Sequence, residues 1–369
     1  MANTFSFVGV LKSVKDKENF KSFTVKNYDS GWMSERLVFN VICGDNVQMV
    51  EINSGRWADE SKNVIYGFTK SENGKKGEPF QIPWSQRNSE SVINNMAGWK
   101  IFTVDLDTYQ HRKEVEDSGD TEAIAKSHSK RKHFLAQTEF CEYVNKVVNS
   151  EKFKDVKFKV NGNVIYTYSA SKDMYYVNYE VTKIYRAEDD AEPSSEVDID
   201  FFFTHDTFDD SDYEETGKAI ASGYTQFYDS MTKRNWFCPL SLVVRDNKVP
   251  AFKKKFSKFE DDEVRKIGLM CEKINGAQKV EVKYEDLDEE TRENLDLGIT
   301  TMEDVIRERG GSMYGDRIQE LRIDKLGRGY TKGSETTLYT LEDMIKKPTF
   351  EKADDDTDAD IDIFDDDEL

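Results

Sequence analysis

ERLVFNVIC, residues 35 to 43, places Leu37, Phe39, Val41 and Cys43 on one face of an extended chain and Arg36, Val38, Asn40 and Ile42 on the other. A period of two means a strand. Apolar groups in both sets mean a strand covered on its outer side as well as its inner one. The same reading extends outward to TFSFVGVLKSV from Thr4, FKSFTVKNY from Phe20 and NVQMVEIN from Asn46. The connections DKEN, DSGWMS and CGDN carry the Gly, Asp and Asn of tight turns. A meander that curls into a small barrel is the expected result.

Further along, VIYGFTK at 64 to 70 reads as a strand and SENGKKGEPF at 71 to 80 as an exposed loop. SESVINNM and residues 131 to 150 read as helices, the second with Phe134, Phe140, Cys141, Val144, Val147 and Val148 on one face. KDVKFKVNGNVIYTYS reads as a hairpin turning at Asn161 and Gly162, and residues 173 to 186 as a long aromatic strand. The acidic, Pro- and Ser-containing break AEDDAEPSSE divides the chain into domains at 1–187 and 196–347, with a tail at 348–369. In the second part EVDIDFFFT, KAIASGYTQFYDS and NWFCPLSLVVRD read as strands and EDDEVRKIGLMCEKI as a helix. KVEVKY reads as a strand, and 288 to 296, 301 to 309 and LEDMIKK as short helices. The fold class is mainly β with helical insertions, one barrel or two, and the repeated order of strands, helix and strands hints at duplication.

The formal charge is −20, and the last sixteen residues, DDDTDADIDIFDDDEL, hold ten carboxylates. Such a run is expected to stay disordered and solvated. The rest is mildly acidic, which argues against a protein that coats duplex DNA by charge. Cys43, Cys141, Cys238 and Cys271 form no C-x-x-C pair, and no eighteen-residue apolar run occurs. A soluble, cytoplasmic protein without membrane contact is the expectation.

Catalytic signals are thin. The Asp-x-Asp pairs in VDLD (104 to 107) and DIDFFF (198 to 203) read as solvent-facing edge charges, and GRGYTKG at 327 to 333 lacks the spacing of a phosphate-cradling loop. His128, His133 and Cys141 lack a fourth ligand, so no metal or other cofactor is expected, and no enzymatic activity. The stretch KSHSKRKHF instead concentrates Lys130, Arg131 and Lys132 in a basic loop. Aromatic and basic residues interleave in FKSFTVKNY, GWMSER, GRW and PWSQR, a mixture that suits unpaired bases stacking on rings while cations follow the backbone. Any one of Phe20, Phe23, Trp57 and Trp84 is better explained as a core or loop anchor; the ensemble points to a single strand. The candidate contact surface is Lys26, Tyr28, Trp32, Arg36, Arg56, Trp57, Trp84, Arg87, Lys130, Arg131 and Lys132.

Barrels with a helical insertion, basic aromatic hairpins and an acidic terminus with an apolar tip together resemble single-stranded DNA-binding proteins, most of all the large phage-type members built from OB-folds. The resemblance implies an OB-fold-like barrel, non-enzymatic coating of single-stranded DNA in replication, recombination and repair, and a phage source. It also implies a tail that recruits a polymerase, primase, helicase or recombinase through Asp360, Ile361, Asp362, Ile363, Phe364, Asp365 and Asp366 and competes with DNA for the basic groove. The alternative is an acidic structural or interaction protein, a virion component or DNA mimic, that binds no DNA.

Overall fold

The computed structural model describes residues 3–71, 77–257, 263–279, 287–302, 304–305, 314–327 and 334–348. The acidic tip, most of KVEVKY, most of 301 to 309 and most of GRGYTKG lie outside the described residues.

The meander expected at the amino end is present as β1 (Thr4–Ser13), β2 (Phe23–Asn27), β3 (Trp32–Cys43) and β4 (Asn46–Trp57). An insertion follows, holding the hairpin β5 (Val64–Phe68) and β6 (Pro79–Pro83), α1 (Glu90–Asn95), β7 (Phe102–Asp105), α2 (Tyr109–Ser118), α3 (Thr121–Ser129) and β8 (Arg131–Phe134). α4 (Gln137–Val148), β9 (Lys157–Ser169) and β10 (Met174–Arg186) then return the chain to the barrel. β1 pairs with β3 and β9, β3 with β4, β4 with β10 in parallel, and β10 with β9. These pairings close a ring of five strands.

The second part repeats the plan with β11 (Ser194–Phe203), β12 (Phe208–Asp209), α5 (Tyr213–Thr216), β13 (Lys218–Asp229), β14 (Arg234–Arg245), α6 (Val249–Phe256), β15 (Arg265–Lys279), α7 (Glu289–Asp296) and β16 (Tyr314–Leu326). Here too the first strand pairs with the second and fourth, the second with the third, the third with the fifth in parallel, and the fifth with the fourth. In both rings a helix lies between the third and fourth strands. This is OB-fold connectivity, present twice. The chain closes with β17 (Glu335–Thr336) and α8 (Leu341–Ile345).

Each barrel is filled from its strands and plugged by its helix. Phe7, Phe39, Ile52, Phe158 and Ile184 meet Phe140, Cys141 and Val144 of α4 in the first. Phe201 and Phe203 meet Phe256 of α6 in the second, edge-to-face at centroid distances of 6.0 and 4.7 Å. The four cysteines are buried and unpaired. Burial pushes the Cys43, Cys141 and Cys238 thiols up to about 12, which leaves them inert.

The barrels share one seam. β1 pairs with β11 from Thr4↔Asp198 to Val8↔Ser194. Buried polar groups fix the register across it: Gln48 Nε2 and Ser195 Oγ both donate to the Lys273 carbonyl at 2.7 Å, and Asn275 Nδ2 donates to the Val47 carbonyl at 2.6 Å. Among the described residues no helix is long and apolar enough to cross a membrane.

Three expectations are corrected. EDDEVRKIGLMCEKI is not helical over its described length: from Arg265 it is β15, whose buried Ile267, Leu269 and Cys271 alternate toward the core while its backbone pairs with β11 and β16. Asn161 and Gly162 make no turn, because β9 runs straight through them and Gly162 is where the Glu180 backbone and the Phe5 ring approach. The helix expected over 131 to 150 starts only at Gln137, the preceding Arg131–Phe134 being a strand paired with β7.

Candidate nucleic-acid interface

Strands two and three of the first barrel project as a ribbon, and β2 widens it to three strands. Residues directly opposite in an antiparallel pair share a face. Trp32↔Trp57, Lys26↔Ser34↔Gly55 and Arg36↔Asn53 therefore lie on one side, and Met33↔Arg56 and Val25↔Glu35 on the other. Lys26, Trp32, Arg36 and Trp57 are thus brought together on a single face.

The two indoles sit edge-to-face with centroids 5.2 Å apart and planes at 72°. Gly55 makes this possible, because a β-carbon there would run into the Trp32 ring. Trp57 is held through its backbone: its N–H donates to Asn63 Oδ1 at 2.8 Å, and Asn63 Nδ2 donates to its carbonyl at 2.9 Å. The buried Asn63 amide is used up on that one residue, so the main chain is pinned while the indole stays half-exposed. Lys62 Nζ lies 5.7 Å from the Trp57 ring centroid.

Opposite the ribbon, the β5–β6 hairpin and the segment 135–138 form the far wall of a cleft of about 410 Å³. Trp32, Trp57, Tyr66, Trp84 and Phe102 line it, with Lys62 at the margin. Tyr66 is 64% exposed. Trp84 is the buried wall of the same space, and its indole N–H makes no hydrogen bond among the described residues. Arg87 stacks on Trp84 with its guanidinium 4.8 Å from the ring and pairs with Glu139 at 2.7 Å, so it braces the wall.

The other sequence candidates fall elsewhere. Tyr28 closes the β2–β3 turn, its N–H donating to the Trp32 carbonyl at 2.9 Å, with its ring exposed. Arg36 is bound to Glu51 at 3.0 Å, and Arg56 points to the opposite face beside Glu35. The basic loop does not reach the cleft. Lys130 pairs with Asp107 at 3.0 Å and Arg131 with Asp105 at 2.7 Å, while Lys132, exposed, belongs to the edge strand β8.

The VDLD carboxylates are therefore not the solvent-facing charges expected of them. Asp105 and Asp107 are buried, and Asp105 also holds the buried Arg112 at 2.6 Å. Burial raises the Asp107 pKa, but hydrogen bonds from Ser127, His111 and Lys130 outweigh it and bring the carboxyl down to about 2. The stabilisation from that pairing is full above the ordinary carboxylate range and is lost as pH falls toward 2. Among the described residues no group of three or more His, Cys, Asp or Glu is placed to hold a metal ion; His128 and His133 pair with Glu116 and Thr103 instead.

Asn63, Lys62, Tyr66 and Phe102 were not singled out from the sequence. Tyr66 had a signal, the outward alternation of VIYGF, whereas nothing local marks Asn63 as the clamp on Trp57.

No family model matches the chain, and no curated protein matches it. Among solved structures it is similar to the wild-type single-stranded DNA binding protein from Thermus aquaticus, with 10% identity and a TM-score of 0.30 over 74% of this chain and 85% of that one. It is also similar to a deletion mutant of that protein, with 8% identity and a TM-score of 0.31 over 74% and 86%. Both neighbours are single-stranded DNA-binding proteins.

Proposed function

We propose that the chain is a non-enzymatic single-stranded DNA-binding protein whose first barrel takes unpaired bases into the Trp32–Trp57–Trp84 cleft. The observation that carries this reading is the convergence on one cleft of Trp32 and Trp57, on strands two and three of an OB-type barrel, and of Tyr66 and Trp84 of the insertion, with Lys62 over Trp57. Such a barrel face is suited to oligonucleotides, and rings without base-edge readers bind any unpaired base. A duplex keeps its bases stacked inside, so the cleft discriminates by strandedness. In this reading residues 1–187 form the DNA-binding domain and 196–347 a second domain fixed against it. The protein serves phage replication, recombination and repair, and the tail recruits partner proteins.

Among the described residues few free cations serve the cleft. With Lys26, Lys62 and the Glu51-paired Arg36 at hand, about two phosphates are neutralised, and log affinity should fall with log salt at a slope of about −1 to −2. Titration of the full chain with fluorescent oligo-dT and with duplex at two salt concentrations is expected to show tryptophan quenching and tighter binding of the single strand. No binding of oligo-dT, or equal binding of duplex, would overturn the reading and favour the acidic interaction protein.

The last described residues before the tail are fixed to the body. Met344 of α8 is buried against Phe202, Phe237 and Val264, and Lys347 Nζ contacts Asp173 in the β9–β10 connection at 2.6 Å. In this reading the ten carboxylates of 354–369 compete with DNA for the cleft's lysines through the reach of the chain that tethers them. Deleting 354–369 is expected to tighten oligo-dT binding about 3- to 10-fold at low salt, with the difference vanishing at high salt. An unchanged affinity at low salt would rule out competition by the tail.

A further inference from the structure

The aromatic surface does not stop at the cleft. Along β5 the outward side chains are Val64, Tyr66 and Phe68, and their β6 partners in register, Pro83, Gln81 and Pro79, carry no charge. Val64 and Tyr66 line the cleft; Phe68 is one strand repeat beyond it, about 6.7 Å further on. There the ring of Trp99 lies 5.0 Å from that of Phe68. Lys100 Nζ stands 5.2 Å from the Trp99 centroid and 5.8 Å from the Phe68 centroid.

This arrangement is held in place. The Ala97 N–H donates to the Phe68 carbonyl at 2.8 Å, Met96 bridges to Thr69, and the Met96 side chain is buried with Ile82, Ile101 and Leu135. The following turn, Gly98–Lys100, leaves Trp99 64% exposed. A large ring fixed in the open on an ordered scaffold, with a cation over it and, among the described residues, no carboxylate on the same hairpin face, is complementary to a polyanion that has flat bases.

We propose that Phe68, Trp99 and Lys100 form a second stacking platform for the same nucleic-acid strand, which leaves the cleft at Tyr66 and continues along the insertion. This inference rests on the proposed reading of the cleft and assigns the insertion a direct part in the DNA path. A strand that fills only the cleft does not touch Trp99; a longer one does.

The test is the affinity of the full chain for oligo-dT of increasing length, compared among the parent, Trp99→Ala and Trp57→Ala. Oligomers of about five nucleotides should bind the parent and Trp99→Ala alike, whereas at about ten to twelve the parent should gain and Trp99→Ala should fall behind by about 10-fold. Trp57→Ala should lose affinity at every length. If Trp99→Ala follows the parent at all lengths while Trp57→Ala is weakened, the platform is wrong and the cleft stands. If neither variant differs from the parent, both are wrong. Trp99 is solvent-exposed, so circular dichroism of the variant should match the parent.

Discussion

Alanine at both Trp32 and Trp57 is expected to lower affinity for oligo-dT by about 100-fold or more, because each base stacked on an aromatic ring is worth about 1–3 kcal/mol. The two rings touch, so each also supports the other's orientation, and the losses should not be independent. Neither indole is in a barrel core, and the backbone of Trp57 remains clamped by Asn63 whatever its side chain. Thermal unfolding of the double variant should therefore stay close to that of the parent. Gly55→Val is the companion measurement. It keeps both tryptophans but displaces the Trp32 ring with a branched side chain, in a residue type that strands favour. Affinity should drop about 5- to 10-fold without loss of fold. Retention of parental affinity by the double variant would remove the cleft from consideration; retention by Gly55→Val alone would mean that the ring geometry at Trp32 does not matter.

Much of this arrangement was legible in the sequence because it depends on local periodicity. The alternation of ERLVFNVIC, the aromatic run from Met174 to Arg186 and the outward Val64, Tyr66 and Phe68 all follow from the side-chain period of a strand. What failed depends on partners distant in the chain. The charged spacing of EDDEVRKIGLMCEKI fits a helix, and only pairing with β11, some 70 residues earlier, makes its described part a strand. Gly162 looks like a turn residue because a glycine needed for close backbone approach reads the same as one needed for a turn. Lys130 and Arg131 look like free cations until Asp105 and Asp107 are placed beside them. Trp32, Trp57 and Trp84 were each identifiable as aromatic near a basic residue, but their convergence on one cleft comes from the β3–β4 register and the return of the insertion.

That distinction gives the second large effect. Asp105→Ala is expected to destabilise the protein by about 3–5 kcal/mol, the cost of stranding a buried charge. Arg112 is 5% exposed, and its guanidinium Nε and Nη1 make no hydrogen bond among the described residues, so the 2.6 Å contact from Nη2 to Asp105 is its compensation in the interior. Arg131 has a second recourse, because it is partly exposed and can turn to water. The penalty should therefore be concentrated on Arg112, and adding Arg112→Leu to Asp105→Ala should recover most of the lost stability. Chemical denaturation monitored by circular dichroism measures both. Binding offers the contrast: Asp105→Ala frees Arg131 at the edge of the sheet, away from the cleft, so affinity of the folded variant for oligo-dT should stay within about twofold of the parent at moderate salt. A variant as stable as the parent would show that the Asp105 network is dispensable. A stable variant with markedly tighter binding would instead restore the basic loop to the DNA path, with its carboxylates acting as a restraint on it.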